Sequence, residues 1–522
     1  MPVDSNTLAV SNVAGIENAQ FSPDSEVVPS KTLVIASFDP AKTLVVPDVP
    51  KRVFSGDEVG DESGFGFAAQ RLVEKTLLAS GGIECWVVYQ DEDGSAVQST
   101  GDIDFASSTG VKAGTLELNI AGDVIPVAIA TDDSADDIAT KVVAELAKTK
   151  HKKVMVTAAV NGTTTSQVDF TAKSAGPFGD DITLGFNRAG GTAPTGVSYV
   201  VTDMASGTGL PDISTALASL GQNDLANKEQ FTEVVHGNGQ DSTTLDAISV
   251  YVGEGDTFAG VYKKAVAKPF YFATGDTGTG SSALTALLAL GNGRKLDRGN
   301  AVIALDGSIS HPAELAAAAI GLTAAIGNVR PPESYEGLVL PEIWPGEAND
   351  AWTNLGDSRD DAVHAGISPC IEVNGAAVLQ NVVTFYHPDN VSDKSNAYRD
   401  VVSVKKHLNI LRNSIDRFAS EKWTGVFFVD DKNEVTDPIA AVKARDRNDV
   451  VNELISLATE FAAKGWLFNS AFTIAKLQSD PSNVVMRAGG TGVDWKLPSV
   501  YSGIGGISNG TILVDTNTAA AS

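Results

Sequence analysis

The chain has 522 residues, of which 43% are hydrophobic and 20% are charged, and its formal net charge at pH 7 is −27. A chain of this length is expected to hold about three or four domains with sizeable cores. A protein this acidic lacks the basic surface that general nucleic-acid binding needs, so we expect no direct contact with nucleic acid.

The first thirty residues predict an arm, and the residues after them predict a globular domain. Residues 1–30 are polar and show no periodicity, which is typical of an extended segment. The pattern then predicts a strand at 32–36, a helix at 65–79 and a buried strand at 83–89. The acidic stretch 90–104 is expected to interrupt this domain.

Residues 111–204 predict a small inserted domain rich in strands. Strands at 115–120 and 124–129 are expected to form a hairpin, and a helix with one apolar face follows from Ser134. Further strands are predicted at 154–158, 167–172 and 182–184. The glycine- and threonine-rich stretch 189–209 is interpreted as a linker, so the unit has the order ββαββ.

Helices and strands alternate in the next part of the chain. The pattern predicts helices at 212–220, 245–252, 282–290 and 312–326, and strands at 232–235, 270–273 and 301–305. Alternation at this spacing indicates an α/β layer. We therefore expect one middle α/β domain formed by residues 31–110 together with 205–345.

The sequence predicts neither export nor membrane insertion. Residues 1–20 have no basic start and no apolar segment of the kind found in signal peptides. The longest apolar run, Leu315 to Ile326, is too short to span a bilayer. We expect a soluble chain made in a cytoplasm.

Residues 346–502 are expected to form a C-terminal domain. It opens with a hairpin around Asn374-Gly375, because this step supplies the positive φ angles of a tight turn. A helix follows with a heptad core stripe of Val401, Val404, Leu408, Leu411, Ile415 and Phe418. A strand at 425–429 precedes a second long helix at 438–464, whose predicted core face is Ile439, Val442, Val450, Leu454, Leu457 and Phe461. Strands are predicted at 472–475 and 484–487.

The last apolar segment, Thr511-Ile512-Leu513-Val514, comes after a glycine-rich hinge at 503–510. It is expected to be the strand of a C-terminal arm, residues 503–522. An isolated apolar strand cannot bury itself, so it either pairs within its own domain or adds to the sheet of a neighbouring chain. The sequence favours neither outcome.

Short motifs that suggest catalysis lack the companions that their chemistry needs. The S-x-x-K match at 403–406 lies inside the heptad helix, and no S-D-N or K-T-G follows it. A strand ending in Asp430-Asp431 resembles a Walker B sequence, but the chain has no Walker A sequence. The six histidines have no metal-ligand spacing, and Cys85 and Cys370 have apolar flanks typical of buried cysteines. We therefore expect no enzyme, no catalytic residue, no metal and no cofactor.

The order of these elements resembles the contractile phage tail sheaths, in particular the Mu-type (myophage) branch. The resemblance rests on the order AGI…NG…VLQNVVTFY…YRDVVSVKKHLNILRNSIDRF in the C-terminal part and on VTAAV…FTAKSAGPFGDDITL in the inserted domain. It covers nearly the whole chain. It implies a tail-sheath fold of the α+β or α/β multidomain class, with α/β core domains, a ββαββ insertion on the outer face and extended arms at both ends.

The resemblance also implies where contacts between subunits form. In such sheaths the terminal arms connect neighbouring subunits, which here selects Val27 and Val28 near the first arm. In the last arm it selects Ile512, Leu513 and Val514.

A contact with the tail tube is implied by charge. Residues 394–447 carry 11 basic and 8 acidic groups, whereas residues 1–393 carry 23 and 51. This relatively basic segment is either a solvated helix face or a surface that docks on an acidic partner. The candidates facing the tube are Lys443, Arg445 and Arg447, with Lys405 and Lys406 in reserve. Lys405, Lys406, Arg412 and Arg417 lie off the heptad stripe and are expected to be exposed.

The function that the resemblance implies is mechanical. Subunits would form stacked sixfold rings around a tail tube and contract to drive the tube through the host cell envelope during genome ejection. The expected partners are further copies of the chain, the tail tube protein, and the baseplate and tail terminator proteins. The expected location is the virion tail, after assembly in the host cytoplasm. The alternatives are a static structural protein of a virion or tube and a nucleotide-binding α/β enzyme.

Overall fold

The computed structural model describes residues 26–108, 110–188, 190–220, 231–253, 271–346, 356–388 and 398–500. The described chain divides into two compact units. The α/β unit comprises residues 28–408, and the helical unit comprises residues 409–500 together with residues 26 and 27. The predicted multidomain α/β class is confirmed.

The α/β unit is built on an eight-stranded sheet. In sheet order its strands are β15 (Ala376–Leu379), β14 (Ile367–Val373), β13 (Asn300–Ala304), β12 (Tyr271–Asp276), β11 (Glu233–His236), β1 (Lys31–Ser37), β3 (Glu84–Gln90) and β2 (Lys51–Val53). The strands from β14 to β3 run parallel, and the two edge strands are antiparallel to their neighbours. Parallel strands are covered on both faces, which explains why β1 and β11 are almost continuously buried.

Helices cover both faces of this sheet. They are α1 (Gly56–Ser63), α2 (Ala68–Ser80), α4 (Ile213–Ser219), α5 (Ser242–Val252), α6 (Gly280–Gly293), α7 (Pro312–Val329) and α8 (Gly356–His364). Val34 joins the core that contains residues of α2 and α7, whereas its neighbour Leu33 joins the core that contains residues of α4 and α5. Helix α7 is long and apolar enough to cross a membrane by length and composition, but 72% of it is buried in the protein, as in a core helix.

The inserted region contains two smaller sheets and one helix. One sheet has the order β10 (Val197–Ala205), β4 (Gln98–Ser107), β8 (Gln167–Ala175), β7 (Val156–Val160). The other has the order β6 (Asp123–Ile129), β5 (Gly114–Ile120), β9 (Leu184–Phe186). Helix α3 (Ala135–Leu146) begins at a capping box in which Ser134 and Asp137 bond each other's main chain.

Two strands of the inserted region lie where the sequence predicted none. Strand β4 falls in the acidic stretch that was expected to interrupt the fold, and β10 falls in the predicted linker. The two strands pair with each other, with Tyr199 opposite Phe105. Buried and exposed residues alternate along β4, but two of the buried residues are Ser99 and Gly101. The sequence therefore shows only a weak alternation of apolar and polar residues.

The predicted hairpin at Asn374-Gly375 is present, with φ angles of 53° and 80°. Its strands were assigned to the C-terminal domain of residues 346–502. In the structure β14 pairs with β13 instead, so the hairpin extends the sheet of the α/β unit.

The helical unit packs three helices around one apolar core. They are α9 (Val401–Ala419) from Asn409 onward, α11 (Arg447–Ala463) and α12 (Ser470–Ser479). Two small sheets accompany them. The strands β16 (Phe427–Phe428) and β17 (Ala444–Arg445) form one, and β18 (Val484–Met486) and β19 (Val493–Trp495) form the other.

The second long helix does not run from 438 to 464 as predicted. A single turn, α10 (Pro438–Ala441), is followed by β17, and α11 begins only after Asp446, whose side chain caps it. Ile439 and Val442 therefore leave the predicted core face and are 85% and 66% exposed. The predicted strand at 472–475 is also wrong, because Asn469 caps helix α12 there.

Candidate assembly surfaces

Two basic residues of the first long helix are buried, against the expectation that they are exposed. The ammonium group of Lys405 pairs with the carboxylate of Glu233 on β11 and donates to the carbonyl of Thr323. Both side chains of the ion pair are almost completely buried. Lys406 is also buried, and desolvation lowers its pKa to about 8, although the charge of Asp400 opposes this shift. These two lysines are thus part of the interior and cannot face a tube.

The buried side of helix α9 changes along its length. Val401, Val404 and Leu408 are buried, as the heptad pattern predicts. Beyond Leu408 the buried residues are Asn409, Ile410, Ser414 and Arg417. The remaining residues of the stripe, Leu411, Ile415 and Phe418, are partly exposed.

Arg417 explains part of this change. Its Nη1 atom lies 3.0 Å from the Oε1 atom of Glu453, and its Nη2 atom lies 2.6 Å from the Oε2 atom of Glu460. Hydrogen bonds to both carboxylates raise the pKa of Arg417, although desolvation acts most strongly and in the opposite direction. The expectation that Arg417 is exposed is therefore wrong, whereas Arg412 is partly exposed and pairs with Asp416.

The second basic cluster, Lys443, Arg445 and Arg447, contacts main chain instead of carboxylates. The Nζ atom of Lys443 donates to the carbonyl of Thr424 at 3.1 Å. Arg445 donates to the carbonyls of residues 422, 442 and 444, and the Nε atom of Arg447 donates to that of Val484 at 3.1 Å. Within the described part of the chain, none of the three forms an ion pair. Lys443 is exposed, and the two arginines are half-buried.

The predicted arm residues are only partly within the described chain. Val27 is half-buried against the core of the helical unit, and Val28 is half-buried against a core of the α/β unit. Ile512, Leu513 and Val514 lie outside the described residues.

Narrow sheets leave strand edges in the helical unit. Among the described residues, the sheet β16–β17 and the sheet β18–β19 have two strands each. A two-stranded sheet has little stability by itself, and its outer main-chain groups can accept a further strand. Large apolar side chains are exposed in the same unit, including Phe468 at 75% and Ile439 at 85%. The sequence pattern missed Ile439 because it placed that residue on the core face of a continuous helix.

The structure describes several of the groups that the motif analysis considered. No group of three potential metal ligands occurs among the residues described. Burial raises the pKa of the Cys85 thiol to about 12, which disfavours the reactive thiolate, and Cys370 is buried as well. Asp431 accepts a hydrogen bond from the main chain of Asn433, as expected of a turn residue.

The fold and these surfaces define a class: a multidomain α/β protein with narrow sheets, exposed apolar side chains and, among the described residues, a basic cluster without a carboxylate partner. The chain is 24% identical over 439 residues to the Mu-like prophage FluMu tail sheath protein of Haemophilus influenzae, which covers 81% of this chain and 82% of that protein. The resemblance to Mu-type tail sheaths is therefore confirmed. No family model matches the chain.

Solved structures of sheath proteins resemble the chain more distantly. The sheath tail protein of Desulfitobacterium hafniense is 11% identical with a TM-score of 0.43, and the match covers 93% of this chain and 98% of that one. The contracted helical sheath of the anti-feeding prophage is 11% identical, and the contracted sheath of the extracellular contractile injection system PVC is 10% identical. Both have TM-scores of 0.45 and cover 98% of this chain and 99% of theirs.

Proposed function

We propose that this chain is the structural subunit of a contractile tail sheath. It would polymerise as stacked sixfold rings around a tail tube and contract to drive the tube through a host cell envelope. The observation that carries the proposal is the similarity to a Mu-like tail sheath protein along 81% of the chain. The strand edges of the helical unit support it, since they are suited to contacts that continue from copy to copy.

The arms would provide the connection between copies. Residues 1–30 and 503–522 would extend to neighbouring subunits, with Ile512, Leu513 and Val514 adding a strand to a neighbour's sheet. Strand addition satisfies main-chain groups on both chains and needs no particular side chain at the outward positions. When one surface of a subunit binds a different surface of the next copy, and the copies do not close into a ring, the assembly continues as a helical filament.

The tube would be bound through Lys443, Arg445 and Arg447. Their charges have no carboxylate partner within the described residues, so an acidic surface on the tube would supply one. Charge pairs at an exposed surface weaken with salt, which suits a contact that is released on contraction. Baseplate and terminator proteins would bound the assembly in the virion tail. No residue of the chain would act as a catalyst.

Electron microscopy of the purified chain tests polymerisation. The intact protein is compared at two concentrations with a variant that ends at Gly503 and with the full-length triple variant Ile512→Ser, Leu513→Ser, Val514→Ser. We expect hollow ridged tubes from the intact chain at the higher concentration and loss of tubes in both variants. Discrete particles from all three proteins would contradict the arm contacts. Tubes of one fixed geometry, with or without a bound tube protein, would favour the static structural protein instead.

A second experiment tests the contact with the tube. The double variant Lys443→Glu, Arg447→Glu is mixed with the tail tube protein from the same tail, and co-sedimentation is measured from low to high salt. We expect the intact chain to bind and to lose binding as salt rises, and the double variant to bind poorly throughout. The control is Lys112→Glu, which changes an exposed lysine in the α/β unit. Equal binding by all three proteins would remove this basic cluster from the tube contact.

A further inference from the structure

The side chain of Asn413 on helix α9 bonds the main chain of Glu26, at the start of the described chain. Its Oδ1 atom accepts from the main-chain N–H of Glu26, and its Nδ2 atom donates to the carbonyl of the same residue. Both distances are 2.7 Å. Two residues that face each other in an antiparallel ladder exchange hydrogen bonds in the same way. The amide of Asn413 thus takes the place of one residue of a neighbouring strand.

The orientation of this amide is fixed by the helix itself. The Nδ2 atom also donates to the carbonyl of Asn409, one helical turn earlier, at 2.7 Å. Turning the amide over would place Oδ1 against two carbonyl oxygens and would leave the N–H of Glu26 without an acceptor. The next residue, Val27, packs against the core of the helical unit.

We propose that Asn413 is a positioning residue that clamps the N-terminal arm to the helical unit at residue 26. Asn413 bonds only the main chain of Glu26, so this contact does not depend on the side chain at position 26. It fixes the point at which the arm leaves the subunit. If the chain is a sheath subunit, as proposed above, every copy presents residues 1–25 from the same point. A constant point of departure gives the arm contact a constant register along the filament.

Cleavage by a glutamate-specific endoprotease tests the clamp directly. The bond between Glu26 and Val27 is a target for such an enzyme. Glu26 is exposed, but its main chain can enter the protease's active site only when the two hydrogen bonds to Asn413 are broken. When opening is fast compared with cleavage, the rate reports the open population. The assay uses the full chain at a concentration that gives no tubes, and mass spectrometry follows the fragment that begins at Val27.

The main variant is Asn413→Leu, which keeps the size of the side chain and removes both hydrogen bonds. We expect cleavage at Glu26 to become about ten times faster, equivalent to about 1.4 kcal/mol. The second variant, Asn413→Asp, keeps the shape but presents oxygen to the carbonyls of Glu26 and Asn409, so it should also be cleaved faster. The matched control is Asn452→Leu, the same substitution at an exposed position of helix α11.

The outcomes separate the clamp from folding and from assembly. Faster cleavage in both Asn413 variants, with unchanged circular dichroism and an unchanged control, supports the clamp. Cleavage of both variants at the original rate overturns it, and so does acceleration in Asn413→Leu alone, because that result indicates a steric effect. Since the chain is unassembled in this assay, a failure of tube formation leaves the result on the clamp unaffected.

Discussion

The two compact units of this chain differ in how far each completes its own sheets. The α/β unit has eight strands in one sheet, with helices on both faces and an ion pair between Lys405 and Glu233 closed inside it. Within the described residues, the sheets of the helical unit have two strands each, and the three cations of its basic cluster donate hydrogen bonds to main-chain carbonyls and form no ion pair. The α/β unit pairs its strands within one wide sheet, whereas the described strands of the helical unit form only two-stranded sheets.

This difference suggests a division of roles within the proposed sheath. A part whose strands pair within one wide, helix-covered sheet can be moved as a body without a large loss of stability. A unit with unpaired strand edges gains stability from each neighbouring chain that pairs with them. Contacts between copies should therefore stabilise the helical unit more than the α/β unit. The two units should therefore respond differently to mutation. Changes inside the α/β unit should alter folding, and changes on the helical unit's surface should alter assembly alone.

The largest effect is expected from the buried ion pair of the α/β unit. Lys405→Met leaves the carboxylate of Glu233 buried without its cation, which should cost about 3–5 kcal/mol. The double variant Lys405→Met, Glu233→Leu removes both charges and should regain much of this loss. Hydrogen exchange of peptides from β11, compared with peptides from α11, measures the effect in each unit separately. A single variant as stable as the double variant would show that the charge of Glu233 is neutralised in another way.

A matched pair of substitutions separates core from surface in the helical unit. Leu454 and Ile439 were both predicted on the core face of one helix, yet the first is fully buried and the second is 85% exposed. Leu454→Ala should cost about 2–5 kcal/mol through the cavity it leaves. Ile439→Ala should change stability by less than about 0.5 kcal/mol. Denaturant unfolding followed by tryptophan fluorescence compares the two, and equal losses would mean that residue 439 is covered in solution.

The response to acid should come partly from His236 of the α/β unit. Among the described residues neither ring nitrogen of this buried side chain has a hydrogen-bond partner, and burial lowers its pKa to about 4. The unfolded chain has the ordinary pKa of about 6.5, so it binds the proton first as the pH falls. Stability is unaffected above pH 6.5 and decreases between pH 6.5 and pH 4, by about 2 kcal/mol at pH 5.

The variant His236→Leu should remove this part of the pH dependence. Thermal unfolding of the α/β unit is measured at pH 7.5 and pH 5 for the intact chain, for His236→Leu and for His364→Gln. The exposed His364 serves as the control, and its replacement should change little. If the intact chain and His236→Leu lose the same stability between the two pH values, the pKa of His236 is not lowered in the folded chain.

The parts of the fold that the sequence predicted well have strong local signals. Strand β1, helix α7 and the hairpin at Asn374-Gly375 combine long apolar runs or turn residues with clear ends, and all three are present. Strand β4 was missed because the small residues Ser99 and Gly101 occupy two of its inward positions. Strand β10 has apolar residues at its less exposed positions, but it lies in the glycine- and threonine-rich stretch that was interpreted as a linker. Tertiary pairing between them supplies what the local pattern lacks.

The candidate surfaces were harder to predict than the fold. Position off a heptad stripe predicts exposure only when a helix packs on one side, and the first half of α9 is buried nearly all round. The partners that make burial of Lys405 and Arg417 possible, Glu233 and Glu453, are distant in sequence. The bond from Asn413 to Glu26 spans 387 positions, so no local pattern could reveal it.

The smallest effect is expected at the cap that divides the predicted second helix. The carboxylate of Asp446 accepts a hydrogen bond from the main-chain N–H of Asp449, and the carboxylate of Asp449 accepts one from the main-chain N–H of Asp446. This capping box begins α11. Asp446→Ala should cost about 1 kcal/mol, whereas Asp446→Asn should keep most of the cap. Hydrogen exchange should show reduced protection at 447–450 in the alanine variant and no change in the asparagine variant.

The same experiment asks whether the continuous helix is an alternative state of the helical unit. A helix through 442–446 would remove β17 from its pairing with β16, because Ala444 and Arg445 form that strand. We expect no new protection at 442–446 when the cap is lost, since the main chain of β17 already bonds its neighbour. Protection gained there would show that the small sheet and the long helix compete. Residues 442–446 would then have two alternative conformations, strand β17 and a turn of helix. A strand from a neighbouring chain that pairs with the small sheet would favour the first.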